Sequence, residues 1–139
     1  MIKESKSAEE TRKLGAALAR KAAPGNVFAL VGDLGCGKTE FVRGFVHELF
    51  PEAVVRSPTF SIVNSYGPSS FPLYHFDFYR LCDFSELDQI GFEEYVASEG
   101  VCLIEWADMF SDCLPPGTII IEFLQTDLDK RTIKSDFDW

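Results

Sequence analysis

One stretch limits the folds open to this chain more than any other: residues 27–46, VFALVGDLGCGKTEFVRGFV. It holds Gly32, four further residues, and then Gly37-Lys38-Thr39. Five apolar residues, 27–31, precede it and read as a strand buried on both faces, the pattern of a parallel sheet interior. After it, Phe41, Val42, Phe45, Val46 and Leu49 recur at helical spacing. Strand, glycine-rich loop and helix in that order are the context in which this motif binds phosphate. Glycines let backbone N–H groups turn inward as an anion nest, and the helix adds its free N–H groups and the positive end of its dipole. The backbone of Gly32, Leu34, Gly35, Cys36 and Gly37, with Lys38 and Thr39, is therefore expected to cradle a nucleoside triphosphate. Lys38 should reach the β- and γ-phosphates and assist transfer, and the Thr39 hydroxyl should ligate Mg²⁺.

At 139 residues the chain reads as one domain, long enough to bury a core without staples. Its four cysteines, Cys36, Cys82, Cys102 and Cys113, are scattered with no CxxC pair, which reads as reduced thiols and a cytoplasmic setting. The longest uncharged run, residues 57–76, is interrupted by three prolines and five serines, so no segment reads as membrane-spanning. Charge is unevenly placed. Residues 1–81 carry ten Lys/Arg against eight Asp/Glu, whereas residues 82–139 carry three against fourteen. That acidic half argues against an extensive grip on a nucleic-acid backbone and is compatible with a basic protein partner or simply a soluble surface.

The remaining pattern reads as an α/β chain with a mixed sheet flanked by helices. Residues 7–23 form a helix, with Ser7 and Glu10 at capping-box spacing and Pro24-Gly25 ending it. A second helix runs from Lys38 to about Phe50. Residues 61–66 and 73–79 read as antiparallel strands, and 83–98 as one or two short helices broken at Gly91. Strands follow at 101–104 and 118–123, and 131–137 reads as a final edge strand.

A phosphate loop needs a carboxylate at the end of a neighbouring strand. Glu105 follows the apolar run Val101–Ile104, the kind expected of a central strand beside the loop, and Asp77 sits in Tyr74-His75-Phe76-Asp77-Phe78-Tyr79-Arg80, on the hairpin. Strand character favours Glu105 on the Mg²⁺ side and Asp77 as the group that orients or deprotonates water, with the reverse assignment open. Ser57-Pro58-Thr59 is a candidate switch responding to the γ-phosphate, or an ordinary pre-proline turn. Trp106 is either core or a lid near the nucleotide. His47 and His75 show no metal-ligand pattern, and spacing does not choose among Arg43, Arg80 and Arg131 as a cationic helper. The guanine-reading Asn-Lys-x-Asp motif is absent, which favours adenine.

Taken together and in order, GDLGCGKTEFVRGF, SPTF (57–60), YHFDFYRL (74–81) and LIEW (103–106) resemble the TsaE (YjeE) family over nearly the whole chain. The resemblance implies a P-loop NTPase-like fold, ATP and Mg²⁺ as ligands, and weak ATP hydrolysis. It also implies action with the TsaD and TsaB proteins in forming threonylcarbamoyladenosine in tRNAs that read ANN codons. By motif it makes Lys38 and Thr39 the phosphate and Mg²⁺ residues, Glu105 the acidic Mg²⁺ residue, and Asp77 a carboxylate needed for hydrolysis. Two positions depart from the family: Glu40 stands where a second threonine is usual, and Cys36 where alanine is. A small-molecule kinase and a nucleotide-gated assembly switch with negligible turnover are the rival readings. The chain shows no arginine-rich lid segment of the kind a kinase closes over its acceptor.

Overall fold

The computed structural model describes residues 1–32, 37–55, 62–67, 71–81 and 83–139, with the side chains of Arg80 and Phe84 outside that description. In chain order its elements are β1 (Ile2–Ser5), α1 (Ala8–Lys21), β2 (Val27–Val31), α2 (Lys38–Leu49), β3 (Val63–Tyr66) and β4 (Leu73–Asp77). A 3-10 turn at Phe78–Arg80 follows, then α3 (Phe84–Ile90), α4 (Phe92–Ala97) and β5 (Val101–Glu105). A 3-10 segment at Ala107–Cys113, β6 (Ile119–Asp127) and β7 (Lys130–Lys134) complete it. The strands form one mixed sheet in the order β1-β7-β6-β2-β5-β4-β3. The middle four, β6, β2, β5 and β4, run parallel, and antiparallel pairs close both sides.

Each face of the sheet has its own core. On one, α1 and α2 pack Leu18, Phe41 and Phe45 over alternate strand residues such as Phe28, Leu30, Leu103 and Ile121. On the other, α3, α4 and the 3-10 segment cover Ala29, Phe76, Cys102 and Ile104. Every residue of β5 is buried, as its unbroken apolar run predicts for a strand with helices on both sides. Helix α1 begins as its sequence reads: Ser7 Oγ accepts from the Glu10 amide at 3.0 Å, and Arg20 and Lys21 sit at its negative end.

The structure corrects two expectations at the sheet margins. The last strand is Lys130–Lys134, and it lies inside the sheet, because β1 pairs outside it from Ile2↔Lys134 to Ser5↔Arg131. Four residues, Ile-Lys-Glu-Ser, carry too little apolar pattern to announce a strand; only the ladder offered by β7 makes them one. Strand β4 also stops at Asp77, two residues earlier than its alternation suggests. There the Asp77 carboxylate accepts from the Tyr79 amide at 3.0 Å and turns the chain into the 3-10 turn.

No helix among the described residues is long and apolar enough to cross a membrane.

Candidate functional site

The site assembles at the carboxyl ends of the parallel strands, where ligands bind in open α/β sheets. Gly32 follows β2 with φ 148°, and Gly37 caps the start of α2 with φ 98°, a left-handed conformation that favours glycine. Space restricts Gly37 as well: a Cβ there would meet Cδ of Arg131 at 3.0 Å and its Nε at 3.2 Å. Arg131, on β7, thus crosses the entry to α2. Arg43 instead lies on the flank of α2, 2.7 Å from Glu40. Of the three candidate arginines, then, Arg131 is beside the loop, Arg43 is engaged elsewhere, and the side chain of Arg80 is outside the described residues.

Lys38 is buried to 5% exposure in the first turn of α2. Its Nζ donates to the Gly32 carbonyl at 2.5 Å and lies 3.5 Å from the centre of the Trp106 ring. A buried ammonium needs such partners, and a carbonyl with an aromatic face supplies them without a counter-charge. Trp106 packs against the core of its face of the sheet and also caps the lysine. Its backbone is left-handed at φ 59°, the sole non-glycine case among the described residues, at a cost of about 1–2 kcal/mol. Tyr79, over half exposed, leans on it with ring centres 5.1 Å apart.

The two carboxylates converge through strand order. Glu105 at the end of β5 is in register with Leu30 of β2 on one side and Asp77 of β4 on the other. Asp77 is held from behind by the buried rings of Phe76 and Phe78, which pack edge-to-face on Phe92 at 5.2 and 5.5 Å. Such pairs contribute about 0.5–1.5 kcal/mol each beyond area burial, so the strand end is firmly anchored. Period-two alternation puts Asp77 on the opposite face to those rings, the face of α2. Thr39 is exposed on the first turn of α2.

Sequence reasoning passed over His75. It is 1% exposed, and its Nε2 donates to Oε2 of Glu105 at 2.6 Å. Shared parity with Asp77 along β4 was the available signal; the pairing with Glu105 depends on the neighbouring strand. His47 is the surface residue its position suggests, 3.1 Å from the Ala53 carbonyl. Glu40 bridges Arg12 of α1 at 2.6 Å and Arg43 at 2.7 Å, so the departure from threonine ties the first turn of α2 to α1. Leu34, Gly35, Cys36, Ser57 and Thr59 lie outside the described residues.

Thr39 and Glu105 offer hard oxygen donors, which suit Mg²⁺. No group of three or more His, Cys, Asp or Glu side chains among the described residues forms a protein cage for a metal. That donor set fits a cation held by one or two side chains together with phosphate oxygens and water.

The comparisons agree on one family. The family model described as "Threonylcarbamoyl adenosine biosynthesis protein TsaE" matches residues 5–133. The "tRNA threonylcarbamoyladenosine biosynthesis protein TsaE" of Bacillus subtilis (strain 168) is 42% identical over 125 residues, which are 90% of this chain and 78% of that protein. The protein of the same name from Treponema pallidum is 38% identical over 117 residues, 84% of this chain and 86% of that one. Among solved structures, the crystal structure of YdiB from Bacillus subtilis matches with a TM-score of 0.81 at 35% identity, covering 97% of this chain and 83% of that one.

Proposed function

The chain belongs to the TsaE family, and from that premise we propose that it is a single P-loop ATPase domain serving threonylcarbamoyladenosine formation in tRNAs that read ANN codons. Its partners in this reading are the TsaD and TsaB proteins, and its setting is the cytoplasm. The observation that carries the ATPase reading is the register of Asp77 with Glu105 at the carboxyl ends of β4 and β5, with Lys38 held under the ring of Trp106, the residue after Glu105. The names of the relatives support the pathway, and the acidic second half of the chain favours a protein partner over a direct grip on tRNA.

Backbone amides of the 32–37 loop and the Lys38 ammonium hold the triphosphate, Lys38 exchanging the Gly32 carbonyl and the Trp106 face for phosphate oxygens. Thr39 and Glu105 would hold Mg²⁺, which when bound neutralises charge on the β- and γ-phosphate oxygens. Asp77, anchored by Phe76 and Phe78, orients the attacking water and accepts its proton. Among the described arginines, Arg131 is the one beside the loop and would add to its field.

The test is the rate of phosphate release with and without the TsaD–TsaB pair. Slow release alone and faster release with the pair is the expected result; no stimulation, or a phosphorylated small-molecule acceptor, would overturn the reading. Within it, Asp77→Asn is expected to lower hydrolysis by about a hundredfold or more, the usual worth of a positioned general base. ATP affinity should stay within roughly threefold, because the amide oxygen can still accept from the Tyr79 amide and hold the turn. Stopped-flow phosphate release and calorimetric binding separate the two effects.

Thiol labelling gives a second check on the loop. Burial pushes the Cys102 thiol up to about 12, and burial together with Asp112 and Asp88 raises Cys113. Cys36, by its place beside Lys38 and a helix N-terminus, is expected to be the reactive thiolate. Iodoacetamide at neutral pH should modify Cys36 before Cys102 and Cys113, and ATP should protect it. Equal labelling of Cys36 with and without ATP contradicts this.

A further inference from the structure

We propose that His75 is a positioning residue for the acidic metal ligand: its Nε2–H holds Oε2 of Glu105 and leaves Oε1 as the oxygen offered to a divalent cation. The inference rests on the Mg²⁺–ATP reading above and extends it to a residue that reading does not use.

The first ground is the cost of having a histidine there. On the same face of the sheet its neighbours are the fully buried Leu73, two residues back on β4, and its register partner Leu103 on β5, with Asn64 opposite on β3 and Asp77 two residues on. A buried imidazole is unfavourable unless its polar atoms are used. Among the described residues its hydrogen-bond partner is Glu105, two residues beyond Leu103 on β5, at 2.6 Å. The second ground is the direction of that bond. An ionised carboxylate only accepts, so the imidazole proton sits on Nε2. Among the described residues Nδ1 has no partner, and a bare acceptor is less costly to bury than an orphan N–H. The ring therefore contributes a single donor, aimed at a single oxygen.

Third, the carboxylate itself needs a fixed rotamer. Glu105 is 6% exposed at the end of β5, with two side-chain torsions beyond Cβ to settle. Groups that hydrogen-bond to metal-ligating carboxylates fix their orientation, and losing one typically lowers metal affinity ten- to a hundredfold, about the range expected here. His75 thus acts through Glu105 and touches neither nucleotide nor metal.

The experiment uses the full chain and reads binding without turnover. Mn²⁺ is titrated by electron paramagnetic resonance in the presence of a non-hydrolysable ATP analogue, for the unaltered protein and for His75→Leu, His75→Gln and His75→Asn. Analogue affinity without metal and thermal melting are measured on each. His75→Leu is expected to weaken Mn²⁺ binding by about ten- to a hundredfold, with metal-free analogue affinity within roughly threefold. The Gln amide can reach the Nε2 position and should restore Mn²⁺ affinity to within roughly threefold. The Asn amide stops near the Nδ1 position and should behave like Leu. Equal Mn²⁺ affinity in His75→Leu and the unaltered protein would overturn the proposal, as would a loss in His75→Gln as large as in His75→Asn. If His75→Leu does not fold, the Gln–Asn pair decides by the same criterion. If the unaltered protein binds no Mn²⁺ with the analogue, the Mg²⁺–ATP reading itself falls and takes this inference with it. The two failures therefore appear in different arms.

Discussion

Lys38→Ala is expected to weaken ATP binding about a hundredfold, and hydrolysis should fall with it. Removing one side of a desolvated charge pair costs about 2–5 kcal/mol, and every 1.4 kcal/mol is tenfold in affinity. The lower part of that range applies, because Lys38 is not idle before the nucleotide arrives. Its Nζ must first leave the Gly32 carbonyl and the Trp106 face, and that exchange discounts the gain. Isothermal titration with ATP and with a non-hydrolysable analogue measures the loss. Lys38→Met is the control for packing, since it keeps an unbranched stem beneath Trp106 while removing the charge. Both variants should lose affinity alike, and near-normal ATP binding in either would remove Lys38 from the phosphate site.

The second large effect is structural and sits away from the chemistry. Gly44→Ala is expected to destabilise the protein by about 2–3 kcal/mol, overpacking outweighing the better helix propensity of alanine. Helices α1 and α2 touch backbone to backbone at this point. A Cβ on Gly44 would fall on the carbonyl of Arg12, and one on Gly15 would fall on the carbonyl of Phe41. Neither obstacle is a flexible side chain that can swing aside, so the helices must part. Thermal melting should show a fall of about 6–12 °C for a domain of this size. Because α2 begins at Lys38 and Thr39, displacing it should also weaken ATP binding. Gly25→Ala provides the contrast. Its φ of 91°, unlike the helical backbone of Gly44, is itself unfavourable to alanine, yet nothing lies within 4 Å of the added atom, so only backbone strain of about 1–2 kcal/mol is expected. Equal melting points for Gly44→Ala and the unaltered chain would mean that the helices are not in backbone contact.

Much of the site was legible because its parts are local. Strand, loop and α2 occupy consecutive residues, and backbone geometry together with a helix N-terminus specifies what such a stretch can hold. Glu105 could be named because it closes an apolar run, and a polar residue at that place faces the carboxyl edge of a sheet; Asp77 could be named as the one carboxylate in the hairpin strand. Other features were hidden for an equally physical reason. Nothing in Gly44 or Gly15 announces a helix crossing, since a glycine in a helical pattern reads as a weakness until its neighbour is known. His75 showed only the absence of a metal-ligand pattern, because its partner lies thirty residues away on another strand. Arg131 could not be set apart from Arg43 and Arg80 until β7 was seen to carry it across Gly37.

By itself, then, the sequence pointed to the phosphate-loop unit, the α/β class, Asp77 and Glu105 as the candidate carboxylates, and the family, all of which follow from contiguous patterns and ordered motifs. Tertiary structure alone decided that β5 lies between β2 and β4, which sets Glu105 in register with Asp77. It also decided that Trp106 caps Lys38, that His75 grips Glu105, and that Ile2–Ser5 becomes an edge strand. Each of these is a pairing between distant segments, selected by which faces can be buried together and which backbone ladders can be completed.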